Sequence, residues 1–255
     1  MRVQLIIGMI FLSLGCDALL EQTSPLEGKF YIEDGWIAFE TKNYDTADKH
    51  FSTAISQNET DSLILLQSHV GLGWTKLYKG REVLETVSQG FVHNSGVQFD
   101  IAKSIMSAME GKLLYDTIPE FIFNKIDLFA GLSFQKAYMA RLLSLNGTLW
   151  ESTNWALSDS VNHLIIESIS TSDNLAEDFI FRHDSSLVFH DILLLRVENY
   201  LLLGDLTTAT THYNEMDKST FTFDIPEECS ANITEEKIIE CTCILINHGD
   251  CPFGN

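Results

Sequence analysis

Basic side chains are scarce in this chain of 255 residues: 16 Lys and Arg stand against 36 Asp and Glu, a formal net charge of −20. Such a surface repels phosphate backbones and anionic headgroups, so nucleic acid is not an expected partner. Proline is scarce as well, with only four residues, which suits a helical chain because proline interrupts helices. Cysteine is absent from residue 17 to residue 228. After residue 14 no uncharged apolar run is long enough to span a bilayer. No Gly-x-Ser-x-Gly, His-Glu-x-x-His or phosphate-binding glycine loop is found, so neither an enzyme nor a cofactor is expected.

What is present begins at the N-terminus. Residues 1–16 read MRVQLIIGMIFLSLGC: one Arg, an apolar run over 3–14, then Gly15-Cys16. That order is an export signal whose apolar part is too short for an ordinary span. The ending Leu12-Ser13-Leu14-Gly15-Cys16 resembles a bacterial lipobox, with Ser13 where most carry Leu. The resemblance implies cleavage before Cys16 and a diacylglycerol on its sulfur; a plain secretory signal is the alternative. More than one acyl chain on Cys16 makes the anchor stable. Residues 1–15 are then a signal peptide and 16–29 a lipidated tether carrying Pro25 and Gly28. The expected location is the cell envelope, facing the periplasm or the cell surface.

Residues 35–55 read GWIAFETKNYDTADKHFSTAI. Trp36 and Phe39 are the large residues of one expected helix. Tyr44, Ala47, Phe51 and Ala54 recur at steps of 3, 4 and 3, one face of a second. The small Ala47 lets the helices approach, and Phe51 fills the space beside it. This stretch resembles a tetratricopeptide (TPR) unit, two antiparallel helices joined by a tight turn. One such pair cannot bury its apolar face, so more pairs should follow. Gly73-Trp74 repeats Gly35-Trp36, and Leu206, Ala209, Tyr213 and Met216 repeat Tyr44, Ala47, Phe51 and Ala54 at a constant offset of 162. The fold class expected is all-α, a TPR-like helical-hairpin solenoid over 30–219 with a short cysteine-rich tail over 220–255.

Between the clear units the pattern predicts helices over 63–77, 82–91, 100–114, 128–145, 149–169 and 187–203. Lys79-Gly80 reads as a turn, 93–99 as a turn-rich connection, and 116–126, which contains Pro119, as a short helix or a loop. Ile101, Ile105, Ala108 and Met109 are expected on one side of their helix. Trp36, Trp74, Trp150 and Trp155 are expected to pack between helices.

Four cysteines, Cys229, Cys241, Cys243 and Cys251, lie in the last 27 residues. An even number in an exported tail with little core predicts two disulfides. A Cys241–Cys243 pair would be strained, so Cys229 should join one of these and Cys251 the other. The rival is zinc held by Cys241, Cys243, His248 and Cys251. His183-Asp184 and His190-Asp191, seven apart, read as a hydrated ridge at a helix start, or else as a metal site on one helix face. Phe221, Phe223, Ile225 and Ile244 are expected to face the helix over 206–216, with strand-like alternation at 220–223 and 238–246. Asn58, Asn146 and Asn232 stand in glycosylation sequons, which matter only in a eukaryote.

The function expected is a lipid-anchored TPR scaffold binding a protein or peptide partner at the cell envelope. Small-molecule or glycan capture is the alternative of another class, and an outer-membrane assembly accessory is a third. The resemblance implies a concave groove and assigns no residue to it.

Overall fold

The computed structural model describes residues 25–58, 60–83, 85–112, 117–144, 159–221 and 223–246; Cys16, Asn146, Trp150, Trp155, His248 and Cys251 lie outside them. The described residues are all-helical. In chain order the helices are α1 (Pro25–Glu40), α2 (Tyr44–Gln57), α3 (Ser62–Glu82), α4 (Glu85–Met109), α5 (Pro119–Ser144), α6 (Asp159–Ser172), α7 (Phe189–Leu202), α8 (Leu206–Glu215), α9 (Glu227–Ser230) and α10 (Ile238–Ile246). Neighbours in sequence are neighbours in space from α1 to α8, and α1, α3 and α5 also touch in succession.

The first and last hairpins close by the same bonds. Asn43 N donates to Ala38 O at 2.8 Å and Lys42 N to Phe39 O at 2.8 Å; 162 residues on, Asp205 N donates to Tyr200 O at 2.9 Å and Gly204 N to Leu201 O at 3.0 Å. This is a Schellman closure, which needs a left-handed residue. Lys42 (φ 60°) and Gly204 (φ 75°) supply it. The next residue caps the second helix each time, Asn43 accepting from Thr46 N and Asp205 from Thr208 N.

The seams between helices are tight because a phenylalanine ring lies between two glycines. A Cβ on Gly35 or Gly71 would come within 2.7 or 2.4 Å of the Phe51 ring, and one on Gly73 or Gly131 within 2.4 or 2.3 Å of the Phe99 ring. Gly71 and Gly73 are two apart on α3, so they face roughly opposite ways, one toward each ring. α3 and α4 are longer than the first pair, with 21 and 25 residues against 16 and 14 for α1 and α2. Val92, Ser95, Phe99 and Ala102 copy the steps of 3, 4 and 3, and all four are fully buried.

Several boundaries expected from sequence are corrected by this packing. Residues 93–99 are mid-helix, not a connection. Ser95 and Gly96 look like turn formers, yet they serve contact: the Ser95 hydroxyl donates to Gly73 O at 2.7 Å, and a Cβ on Gly96 would strike Gln135. Lys79-Gly80 is not a turn, since α3 runs to Glu82 and buried Gly80 lets Val92 and Phe91 approach. Pro119 opens α5 at a first-turn position where its missing N–H costs nothing, so one helix takes in both the short helix or loop expected over 116–126 and the helix expected over 128–145. α1 likewise starts at Pro25, which removes 25–29 from the tether. The buried face of α4 is Phe99, Ala102, Met106 and Met109; Ile101 and Ala108 are exposed. Of the helix expected over 149–169, the described part is α6, which begins at Asp159.

Ala47, Phe51, Ala54, Ala209 and Tyr213 are fully buried, Trp36, Tyr44 and Met216 nearly so, and Leu206 half-buried. Ala47→Leu and Ala209→Leu should each overpack their seam and cost about 1–3 kcal/mol. Urea denaturation reads this directly, and two variants as stable as wild type would show that the register is wrong.

The tail packs on α7 and α8. Cys229, Ile233, Ile238, Cys241, Ile244 and Leu245 share a cluster with Leu193, Val197, Ala209, Tyr213 and Met216, flanked by half-buried Phe221, Phe223 and Ile225. The Tyr213 hydroxyl donates to Cys229 O at 2.9 Å, and Asn214 exchanges two hydrogen bonds with Ile233. The expected strands are absent among the described residues: 238–246 is helix α10. A nine-residue apolar run does not distinguish helix from strand by periodicity. Cys229 is bonded to Cys241, which takes Cys241 away from any zinc site. Cys243 is also disulfide-bonded; Cys251 lies outside the described residues. Reduction should remove about 2–4 kcal/mol of stability from the tail. Limited proteolysis should then cut residues 217–246 while circular dichroism still shows the helices; a tail that stays resistant after reduction would contradict this.

Candidate functional site

The segment between α6 and α7 belongs to no helix. Its backbone closes on itself: Phe181 N donates to Leu187 O at 2.9 Å, Phe189 N to Phe179 O at 3.0 Å and Leu187 N to Asp184 O at 3.0 Å. An isolated antiparallel bridge joins Ile180 and Val188. The Asp184 carboxylate accepts from both the backbone N–H and the hydroxyl of Ser186, which holds the tip. Along this extended stretch Phe179 and Phe181 are buried, while Ile180 between them is 58% exposed. Alternation of this kind is what a strand-like chain imposes.

The buried side lies across α1, α3 and α5. The Phe181 ring stacks on Trp74 at 4.2 Å and meets Trp36 and Phe39 edge-on. The His183 ring lies parallel to Trp36 at 3.6 Å, with Nδ1 3.0 Å from the Glu40 carboxylate. Arg182 reaches Asp127 on α5 with two N–H groups at 2.5 and 3.2 Å, and its guanidinium sits 4.8 Å from the Phe123 ring centre. The Tyr78 hydroxyl donates to Asp184 at 2.7 Å, and Trp74 Nε1 donates to the backbone oxygen of Asp127 at 3.0 Å.

Burial governs the charges here. It pushes the Asp127 carboxyl up to about 6, against the pull of Arg182. It pushes His183 down to about 4, where the hydrogen bond to the Glu40 carboxylate opposes it and the Arg182 charge adds to it. Burial raises the Tyr78 hydroxyl, and the neighbouring Asp184 carboxylate raises it further. Burial also acts upward on Asp184, but hydrogen bonds from Ser186 and Tyr78 outweigh it and hold this acid below its ordinary value. Paired ionised groups in a place partly closed to water favour one geometry strongly.

Trp36 and Trp74 pack between helices as expected, Trp36 against Phe51 and Trp74 against Phe99 and Phe134, and they also lie beneath this segment. His183 and His190 do not share a helix face: His183 is in the segment and His190 in the first turn of α7. No three His, Cys, Asp or Glu side chains gather as a metal site among the described residues. Asn58 is buried and donates to Ala54 O, so its sequon is closed to a glycan. Glu40, Tyr78, Asp127, Phe181 and Arg182 were not legible as a group. The signal available for them was the Phe-Ile-Phe alternation between two helices, ending in a lone Arg.

Two open clefts lie elsewhere. One of about 660 Å³ runs between α4, α5 and α6 over Gly96, Val97, Gln135, Met139 and Leu164; the other, of about 560 Å³, lies over Asn214, Lys218 and Phe221. Comparison with protein-family models, with curated proteins and with solved structures returned no match. Any assignment of function therefore rests on the geometry of this chain.

Proposed function

We propose that this chain is a lipid-anchored, TPR-like scaffold that binds a protein or peptide partner at the cell envelope, rather than an enzyme. The observation that carries the reading is the face of α1, α3 and α5 that holds a non-helical peptide segment by side chains alone. The identical hairpin closures at 41–43 and 203–205 and the repeated Gly–Phe–Gly seams support a TPR-like solenoid. A solenoid needs its last apolar face covered, and the tail on α7 and α8 takes that role as a disulfide-stapled cap. No described helix is long and apolar enough to cross a membrane; the attachment proposed is a lipid on Cys16, at the end of the export-signal pattern of residues 1–16. Glycan capture gains no support from the aromatic rings, because Trp36 and Trp74 are covered by His183 and Phe181.

Cys16→Ala should leave the protein unprocessed or in the soluble fraction, because the lipid on the Cys16 sulfur is its proposed membrane attachment. Fractionation of cells making either form is the measurement. Equal membrane recovery of both would end the lipoprotein reading. Pull-down from solubilised membranes tests the scaffold reading, and the absence of a reproducible partner would count against it.

A further inference from the structure

The groove over α1, α3 and α5 is acidic and aromatic: Trp36, Trp74, Tyr78 and Phe123 form its walls, with the carboxylates of Glu40 and Asp127 among them. We infer that residues 181–183 are an internal copy of the groove's ligand, and that the partner is a peptide with an aromatic side chain followed at a turn by an arginine. This rests on the scaffold reading above and names the partner for that same site.

Three observations carry the assignment. First, the segment holds the groove without backbone bonds to it. Among the described residues, its backbone hydrogen bonds all close between Ser172 and Asp191. It can leave without orphaning a single main-chain group in itself or in the helices, as a segment of α1 or α3 could not. Second, the contacts are those of a ligand in pockets. Phe181 enters between Trp36 and Trp74, Arg182, itself part-exposed, pairs with buried Asp127, and His183 stacks on Trp36, while Ile180, Ser185 and Ser186 face outward. Third, the charge of the floor selects a guanidinium. The Asp127 side chain is 2% exposed and takes two N–H groups from Arg182, a planar fork that lysine does not reproduce. A partner of opposite charge also suits a chain with 36 acidic residues against 16 basic.

A filled groove lowers the apparent affinity for a second peptide by the fraction of time it stands open. The test opens it. Phe181→Ser/Arg182→Ser in the full chain should keep its helical circular dichroism and bind a fluorescent synthetic peptide of residues 177–188. The unaltered chain should bind that peptide at least about tenfold more weakly, because its own segment competes. The peptide made with Arg182→Glu should lose binding, and Asp127→Lys in the opened protein should restore it. Amide exchange on the unaltered chain gives a second reading: residues 177–188 should exchange by local opening while α1, α3 and α5 stay protected. Loss of helical signal in the double variant, or exchange of the segment only with the whole molecule, would make it core and overturn the inference. So would a folded variant that ignores the peptide, or one that binds the Arg182→Glu form equally. If the opened variant binds the peptide while membranes yield no partner, the groove assignment stands and the scaffold reading alone fails.

Discussion

Trp74→Ala is expected to cost about 3–5 kcal/mol, the range for deleting a large buried aromatic side chain. Trp74 is 1% exposed. Its ring is shared by the segment and the helix array, stacked on Phe181 on one side and edge-on to Phe99 at 6.0 Å on the other. Phe99 is itself clamped between Gly73 and Gly131, so the cavity cannot collapse from that direction without moving two helices. The variant also loses the hydrogen bond from Trp74 Nε1 to the backbone oxygen of Asp127 on α5. Trp74→Phe separates the two effects. It keeps most of the ring and loses the hydrogen bond, and should cost about 1–3 kcal/mol. Urea denaturation with an unchanged slope is the measurement. A loss below that of Trp74→Phe would mean that Trp74 does not join the segment to the helix array.

Arg182→Leu should be the other large perturbation, and its size should depend on pH. Asp127 is buried and its carboxylate is paired with Arg182. Removing the partner of a buried charge costs about 3–5 kcal/mol. Protonation gives the variant an escape. In the wild type, burial already lifts Asp127 from an ordinary 3.8 to about 6, and without the guanidinium it should rise further. A folded value above the unfolded one means that the folded state holds the proton more tightly, so stability is retained at low pH and lost as pH rises through the folded value. The deficit against wild type should be small near pH 5 and grow toward pH 8. His183 acts the other way. Its folded value near 4 lies below the ordinary 6.5, so its contribution is present above pH 6.5 and lost as pH falls toward 4. The Arg182 charge adds to that depression, so Arg182→Leu loses less on this account as pH falls, which narrows the deficit at low pH in the same direction as Asp127. Arg182→Leu/Asp127→Asn should recover most of the loss at pH 8. A deficit that is flat with pH, or that Asp127→Asn leaves untouched, would show that the ion pair is not buried as described.

Local patterns of the sequence were enough to place the helices and their small–large contacts at the two ends of the array. The steps of 3, 4 and 3 at Tyr44 and again at Leu206 mark faces that are buried or half-buried, because a helix buries residues at that period whatever it packs on. The turn chemistry at Asn43 and Asp205 is equally local, a cap and a left-handed residue within three positions. The middle was misread because its local signals serve distant partners. Asn94-Ser95-Gly96 reads as a turn by composition, but the small residues are there so that α3 and α5 can come close. Gly80 and Pro119 misled in the same way, one a close approach and one a helix start. The same four-residue face lay unseen at Val92, Ser95, Phe99 and Ala102, since longer helices had shifted it. In the tail, the apolar run at 238–246 allowed helix or strand, and the contacts with α7 and α8 and the Cys229–Cys241 bond accompany the helix. The groove belongs wholly to the tertiary structure. Asp127 and Arg182 are 55 residues apart, and Tyr78 and Asp184 are 106 apart. No periodicity links such residues; they meet because a self-bonded segment between α6 and α7 folds back over helices made much earlier in the chain.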